Sequence, residues 1–341
     1  MSDLRVGVIG LGYFAQFHLK AWAKLSGVRL VGVTDLDGEA VAAAANAYEA
    51  PGYATAQDLL AVDPDVIDIV APPSAHAALI RQALRAGRTI ICQKPFCTSL
   101  QQAEQVTAEA EAAGTTIVIH ENFRFQPWHR KIRSVLDRGT LGEIFQARFS
   151  LRPGDGRGAD AYLARQPAFQ SMPRLLIHET GVHFIDLFRW LLGDPVSVYA
   201  DIRRLNPAIQ GEDAGLLIME HTSGARSVFD GNRLSDHVAT NPRRTMGEME
   251  IEGEGGCLRL DGAGRLWLRA FGQQRAQEIA PDLPIDEDSF GGGCVHHLIA
   301  HVAGALRAGV TPENVAREYL QNIRITEAAY LSAAEGHRVR L

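Results

Sequence analysis

Apolar positions over the first 120 residues follow two alternating patterns. Short continuous runs at 5–9, 28–34, 65–71, 89–92 and 116–120 read as strands buried on both faces. Between them, 14–25, 38–48, 75–86 and 100–113 repeat their apolar residues at helical spacing. Ser74 and Ser99 stand where N-caps belong, and Gly27, Gly87 and Gly114 where helices stop. Strand–helix alternation with short loops predicts a doubly wound parallel sheet, an N-terminal Rossmann domain over 1–122. Beyond 123 the pattern changes to longer alternating segments at 143–152, 196–204, 216–221, 225–231, 247–252 and 257–269, with helices at 128–138 and 183–192. That order predicts an α+β domain, 123–341, built on a largely antiparallel open sheet. The tail, 295–308 and 312–335, is helical again and can pack back on the first domain. Residues 153–174 have weak periodicity and many turn formers, which predicts a long loop of the kind used as lids or binding loops. An exposed face on the second sheet predicts a homodimer or homotetramer formed through it.

Composition narrows the partners. The chain has 341 residues, 46% of them hydrophobic and 22% charged, which is ordinary for a folded protein with a real core. A net charge of −6 and the lack of a polybasic run speak against nucleic acid and anionic membranes. No apolar stretch approaches the roughly 20 residues of a membrane span. Cys92, Cys97, Cys257 and Cys294 show neither a C-x-x-C pair nor metal-ligand spacing, so reduced thiols in a cytoplasm and no metal are expected.

The first candidate chemistry lies between the first strand and helix. Gly10-Leu11-Gly12-Tyr13-Phe14-Ala15 is a GxGxxA. Gly10 permits the tight turn, Gly12 lets backbone approach a pyrophosphate, and Ala15 lets helix and strand pack closely. The second strand ends at Asp35, whose carboxylate suits ribose hydroxyls and repels a 2′-phosphate, and no basic residue follows in Leu36-Asp37-Gly38-Glu39. NAD is therefore expected rather than NADP.

The second lies in IICQKPFC, where an apolar run ends in Gln93, Lys94 and Pro95. An ammonium is expensive inside a parallel sheet, so Lys94 is expected just past the strand's carboxyl end, where such sheets place ligands. Pro95 disfavours helical angles at Lys94. In the second half, 178–186 reads HETGVHFID; if helical, it sets Glu179 and His183 four apart on one face, with Asp186 a turn further on. Histidine beside a carboxylate suits acid–base work near neutral pH, although such pairs are commonly solvated helix faces.

GxGxxA, the lysine–proline strand end, and a G-x-H-x-x-D opening a helix in a second domain together resemble the Gfo/Idh/MocA family, the glucose–fructose oxidoreductase and inositol dehydrogenase relatives. The likeness spans essentially the whole chain, including Pro72-Pro73-Ser74-Ala75-His76, Glu121-Asn122-Phe123-Arg124-Phe125 and the segment 328–333. Segments GYFAQFHLKAW and MPRLLIHETGVHFID and the glycine run 291–293 are similar to its D-apiose-oxidising branch.

The resemblance implies an NAD-dependent oxidoreductase acting on CH–OH groups of a sugar or polyol, here a small cyclic sugar oxidised to its lactone. It implies Lys94 and His183 as catalytic residues with Glu179 beside them, and Gly10, Gly12, Tyr13, Phe14, Ala15, Asp35, Pro72, His76, Gln93, Lys94 and Asn122 around the cofactor. Arg124, Arg152, Asp155, Arg165, His178 and His183 are candidates for substrate, with Tyr162, Phe169 and Trp267 as stacking faces. Two positions depart from the family pattern: Gln93 stands for a glutamate, and Glu179 for an aspartate. Inositol or sugar-acid oxidation, NADPH-dependent reduction, and a non-catalytic sensor on the same fold are the alternatives.

Overall fold

The computed structural model describes residues 3–341, which divide into two units. The first contains the described residues up to Asn122 together with Val295–Gln321; the second contains Phe123–Cys294 and Asn322–Leu341. Residues 295–321, which the sequence reading put in the second domain, thus cluster with the first.

In the first unit, strands β1 (Leu4–Ile9), β2 (Val28–Thr34), β3 (Gly52–Tyr53), β4 (Val66–Ile69), β5 (Thr89–Gln93) and β6 (Thr116–His120) form one sheet in the order β3-β2-β1-β4-β5-β6. Every pairing is parallel. Helices α1 (Ala15–Ala23), α2 (Gly38–Ala47), α3 (Ala56–Ala61), α4 (Pro73–Ala83) and α5 (Leu100–Ala112) alternate with the strands. Chain order reverses direction between β1 and β4, which is where such sheets bind their ligands. Every residue of β4 and β5 is buried, the carboxylate of Asp68 in β4 among them.

Ser99 caps α5, accepting the Gln102 amide at 3.1 Å. Ser74 does not cap α4: the helix begins one residue earlier, with Pro73 in its first turn and Pro72 in the extended cap position. Gly27, Gly87 and Gly114 each take positive φ after a helix or turn. The apolar pattern missed α3 and β3, which are too short to show a period.

The second unit contains α6 (Pro127–Asp137), β7 (Ile144–Leu151), the short α7 (Ala168–Ser171), a π-helix at Leu176–Gly181 running into α8 (Val182–Leu192), and β8 (Pro195–Arg203), β9 (Ala214–His221), β10 (Arg226–Asn232), β11 (Gly247–Gly253), β12 (Gly256–Leu260), β13 (Leu266–Ala270) and β14 (Gln277–Ile279). After α9 (Cys294–Ala308) and α10 (Ala316–Glu335), β15 (Val339–Arg340) adds an edge strand. The sheet order is β14-β13-β12-β11-β7-β10-β9-β8-β15, antiparallel except for the β7–β10 pair. The long strand expected at 257–269 is a hairpin, β12 and β13, because Asp261 to Gly264 turn the chain and Gly264 takes φ +85°.

Alternate residues of the central strands, including Phe149, Leu217, Met219, Met249, Ile251 and Leu258, face a core shared with α8. Phe184 stacks between Phe149 (3.9 Å) and Phe229 (5.1 Å). Burying each such ring contributes about 1.5–3 kcal/mol.

Candidate active site

In the first unit the sequence-predicted cofactor residues gather at the carboxyl ends of the strands. Gly10 follows β1, Asp35 follows β2, Pro72 follows β4, Gln93 ends β5, and Asn122 comes two residues after β6. Gly10 has φ +96°, and a Cβ there would lie 2.7 Å from the Val70 carbonyl. At Gly12 a Cβ would meet nothing within 4 Å, so the loop is open where backbone has to approach a pyrophosphate. Ala15 is fully buried, Phe14 occupies the N-cap of α1, and Tyr13 is exposed.

Asp35 organises this loop. One carboxylate oxygen accepts the Leu11 amide at 2.6 Å and the other the Asp37 amide at 2.9 Å. Each oxygen keeps a further lone pair for a hydroxyl donor. The residues present therefore fit an adenosine ribose and pyrophosphate.

Lys94 stands immediately after β5, before a cis peptide to Pro95. His76 bridges the two neighbouring loops: its Nδ1 lies 2.9 Å from the Phe96 carbonyl and its Nε2 2.7 Å from the Ala71 carbonyl. Burial lowers the His76 pKa, against the opposing pull of those carbonyls. Gln93, expected beside the cofactor, turns inward, with its amide nitrogen 2.8 Å from His18 Nε2. Cys92 and Cys97 are buried and unbridged, and burial pushes the Cys97 thiol up to about 12, so neither is a nucleophile at neutral pH.

In the second unit, His183 occupies the first turn of α8, 5% exposed, its ring stacked parallel on Phe123 at 3.9 Å. Phe123 is itself held, because His129 Nδ1 donates to its carbonyl at 2.8 Å. Burial pulls His129 down to about 4, which keeps that ring neutral. The preceding turn is a π-helix, so the simple α-helical spacing expected between Glu179 and His183 does not apply. Several bonds fix this turn. Glu212 accepts from the Ile177 amide (3.1 Å) and the Tyr330 hydroxyl (2.6 Å), and that hydroxyl accepts from the His178 amide (3.1 Å). Burial and the Glu212 carboxylate raise the Tyr330 phenol well above its usual range.

Glu179 accepts from the Thr180 hydroxyl at 2.6 Å, and that oxygen accepts from Arg233 Nη1 at 2.9 Å. Arg233 is 1% exposed and also donates to both oxygens of Asp155, at 3.2 and 2.8 Å. Burial opposes its charge, but Asp155 and the neighbouring Tyr162 and Glu179 outweigh it and raise its pKa.

The substrate candidates are distributed as follows. Asp155 and Arg165 pair with each other at 3.1 Å as well as with this cluster. Arg124 grips buried Asp186 through two bonds, 2.5 and 2.7 Å, and Asn322 donates to the same carboxylate at 2.7 Å. Arg152 pairs with Asp230 at 2.6 Å. Tyr162 and Phe169 belong to a small apolar cluster under the Arg233 guanidinium, where burial pushes the Tyr162 phenol up to about 12. Trp267 donates to Asp261 on its own hairpin.

Segment 153–174 is largely irregular, as expected, but it is anchored. Gly154 and Gly156 amides donate to Ser235 and Arg233 carbonyls, and Asn206 donates to the Gly156 and Gly158 carbonyls at 2.8 and 2.9 Å. Arg174 pairs with Glu327 at 2.8 Å. These bonds tie the segment to the end of β10, to the 205–213 connection and to α10.

Three comparisons bear on this arrangement. Residues 4–121 match the model of an oxidoreductase family with an NAD-binding Rossmann fold, and residues 129–259 that of the GFO/IDH/MocA C-terminal domain. The chain is 33% identical to the D-apiose dehydrogenase of Paraburkholderia graminis, over 98% of this chain and 88% of the relative. It is 30% identical to that of Rhizobium rhizogenes, over 99% and 98%. Its fold superposes with a TM-score of 0.90 on an Agrobacterium radiobacter oxidoreductase solved with NAD+, L-tartaric acid and magnesium, at 29% identity over 99% of this chain and 98% of that one.

Proposed function

The chain belongs to the GFO/IDH/MocA family of NAD-binding oxidoreductases, and from that premise we propose that it oxidises a small cyclic sugar resembling D-apiose at its ring hemiacetal hydroxyl, giving a lactone. Likeness to two D-apiose dehydrogenases over nearly the whole chain carries this reading. NAD supplies the hydride acceptor. Lys94 supplies a positive charge for the negative charge that builds on the substrate oxygen, and His183 takes the hydroxyl proton. Stacking on Phe123 fixes the plane of the His183 ring. A lactol hydroxyl is more acidic than an ordinary alcohol, so one ammonium and one imidazole suffice for its removal.

Incubation with NAD and a panel of furanoses and pyranoses, followed through NADH and product identification, tests the reading. A lactone or its aldonic acid is expected. A ketose or inosose as the product refutes the anomeric assignment and leaves the dehydrogenase intact.

Asp35 sets the cofactor preference. Asp35→Ser with Leu36→Arg is expected to lower kcat/KM for NAD by about 10- to 100-fold, the worth of hydrogen bonds to a charged group, and to raise that for NADP. An unchanged NAD/NADP ratio removes Asp35 from that role.

We also propose self-association through the outer face of the nine-stranded sheet, where Phe145 is exposed beside Arg226, Glu252 and Arg338. A monomer by light scattering at micromolar concentration would exclude it.

A further inference from the structure

The amide of Gln93 has its oxygen 3.1 Å from the Lys94 backbone nitrogen, and its nitrogen 2.8 Å from His18 Nε2 and 3.1 Å from His120 Nδ1. The Lys94 N–H can only donate, so the amide oxygen must face it and the NH₂ must face the two rings. Each of those ring nitrogens therefore offers a lone pair. His18 then carries its hydrogen on Nδ1, which donates to Asp68 Oδ2 at 2.8 Å, an oxygen that also accepts from Trp22 Nε1 at 2.7 Å. His120 carries its hydrogen on Nε2.

The two rings lie 4.1 Å apart, centroid to centroid, a closeness that two imidazolium ions would oppose. Gln93, His18, Asp68 and His120 are all buried, at 8%, 0%, 0% and 1% exposure. They come from β5, α1, β4 and β6, and α1 is the helix that begins at the glycine loop. A glutamate at 93 has no hydrogen to give either ring.

We propose that Gln93 is a positioning residue, which fixes the backbone of Lys94 through a buried chain, Asp68–His18–Gln93–His120, in which its amide oxygen takes the Lys94 N–H and its NH₂ donates to both rings. The proposal rests on the role given to Lys94 above. It also gives a physical reason for the departure from the family's glutamate at this position. Phe14 seals the group, its ring 5.7 Å from His18 and 6.1 Å from His120.

Two measurements test it. Nitrogen-15 NMR of the histidine rings needs no substrate. Near neutral pH, hydrogen is expected on Nδ1 alone for His18 and on Nε2 alone for His120, and an imidazolium or the other tautomer on either ring overturns the proposal. The second is Gln93→Glu kinetics. This variant should lose about tenfold in kcat at neutral pH, and its kcat relative to wild type at the same pH should rise as pH falls, with KM for NAD within about twofold. A wild-type kcat at every pH overturns it.

If Gln93→Glu does not fold, Gln93→Met, close in volume, is expected to lose kcat without recovery at low pH, and wild-type kcat overturns the proposal there too. If the wild type oxidises no sugar tried, the functional reading fails on its own. The ring tautomers, and an expected roughly tenfold faster hydrogen exchange of the Lys94 amide in Gln93→Met, still decide this one, and an unchanged exchange rate counts against it.

Discussion

With Lys94 or His183 replaced by alanine, kcat falls by about 10²-fold or more while NAD affinity changes little. Both proposed roles arise as the hydroxyl loses its proton and hydride, so truncation removes stabilisation that the ground state never had. The surroundings separate the two effects from general damage. Lys94 lies past the end of β5, so its ammonium is not part of the sheet's apolar filling. His183 packs on Phe123 in the first turn of α8, and His183→Asn keeps part of that contact while removing the base. Steady-state kinetics on the identified sugar, with NAD binding measured separately, checks both variants. Near wild-type turnover in either one removes that residue from the mechanism.

Arg233→Met is expected to destabilise the protein by about 3 kcal/mol, the low end for breaking a buried ion pair. The guanidinium is 1% exposed and holds Asp155, Thr180 and the rings of Tyr162 and Phe169 together. Methionine fills much of the volume, but among the described residues the Asp155 carboxylate, 20% exposed, keeps only Arg165 as an ion-pair partner. The loss should appear as a lower denaturation midpoint and as earlier proteolytic cutting within 153–174. Asp155→Asn removes the stranded charge together with its partner's attraction, so in the Arg233→Met background it should restore part of the stability. Wild-type stability in Arg233→Met would show that this cluster does not hold the segment.

How much of this was legible follows from the physics of each signal. Strands β2 and β6 match their expected bounds to the residue; the second half of β2 and all of β6 after Thr116 are buried, and a strand buried on both faces leaves a continuous mark. GxGxxA and Asp35 were legible because phosphate and ribose binding demand particular residues at particular turns. Arg233, Glu212 and Asn322 were not: each acts on a residue far away in the chain, and no local period encodes such a partner. Asp68 did leave a trace, a lone carboxylate inside VIDIV, and a charge in that setting requires a buried donor. The π-helix escaped notice because one extra residue per turn changes which side chains line up without changing composition. Nor did the chain order show that the guanidinium groups of Arg124 and Arg152, expected near substrate, pair with Asp186 and Asp230.

The discontinuity of the second unit limits how the protein can be cut and recombined. Its last segment, Asn322–Leu341, supplies Asn322 to Asp186, Tyr330 to Glu212, the Ser332 hydroxyl to the Ala200 amide and β15 to the sheet edge. A gene fragment that stops at Cys294 would leave a buried aspartate short of one donor and bare a sheet edge. A chimera meant to graft a foreign substrate half onto this nucleotide half therefore has to carry two exchanged pieces, with junctions near 122, 294 and 321. Coexpressing 123–294 with a separate 322–341 peptide is the corresponding complementation assay.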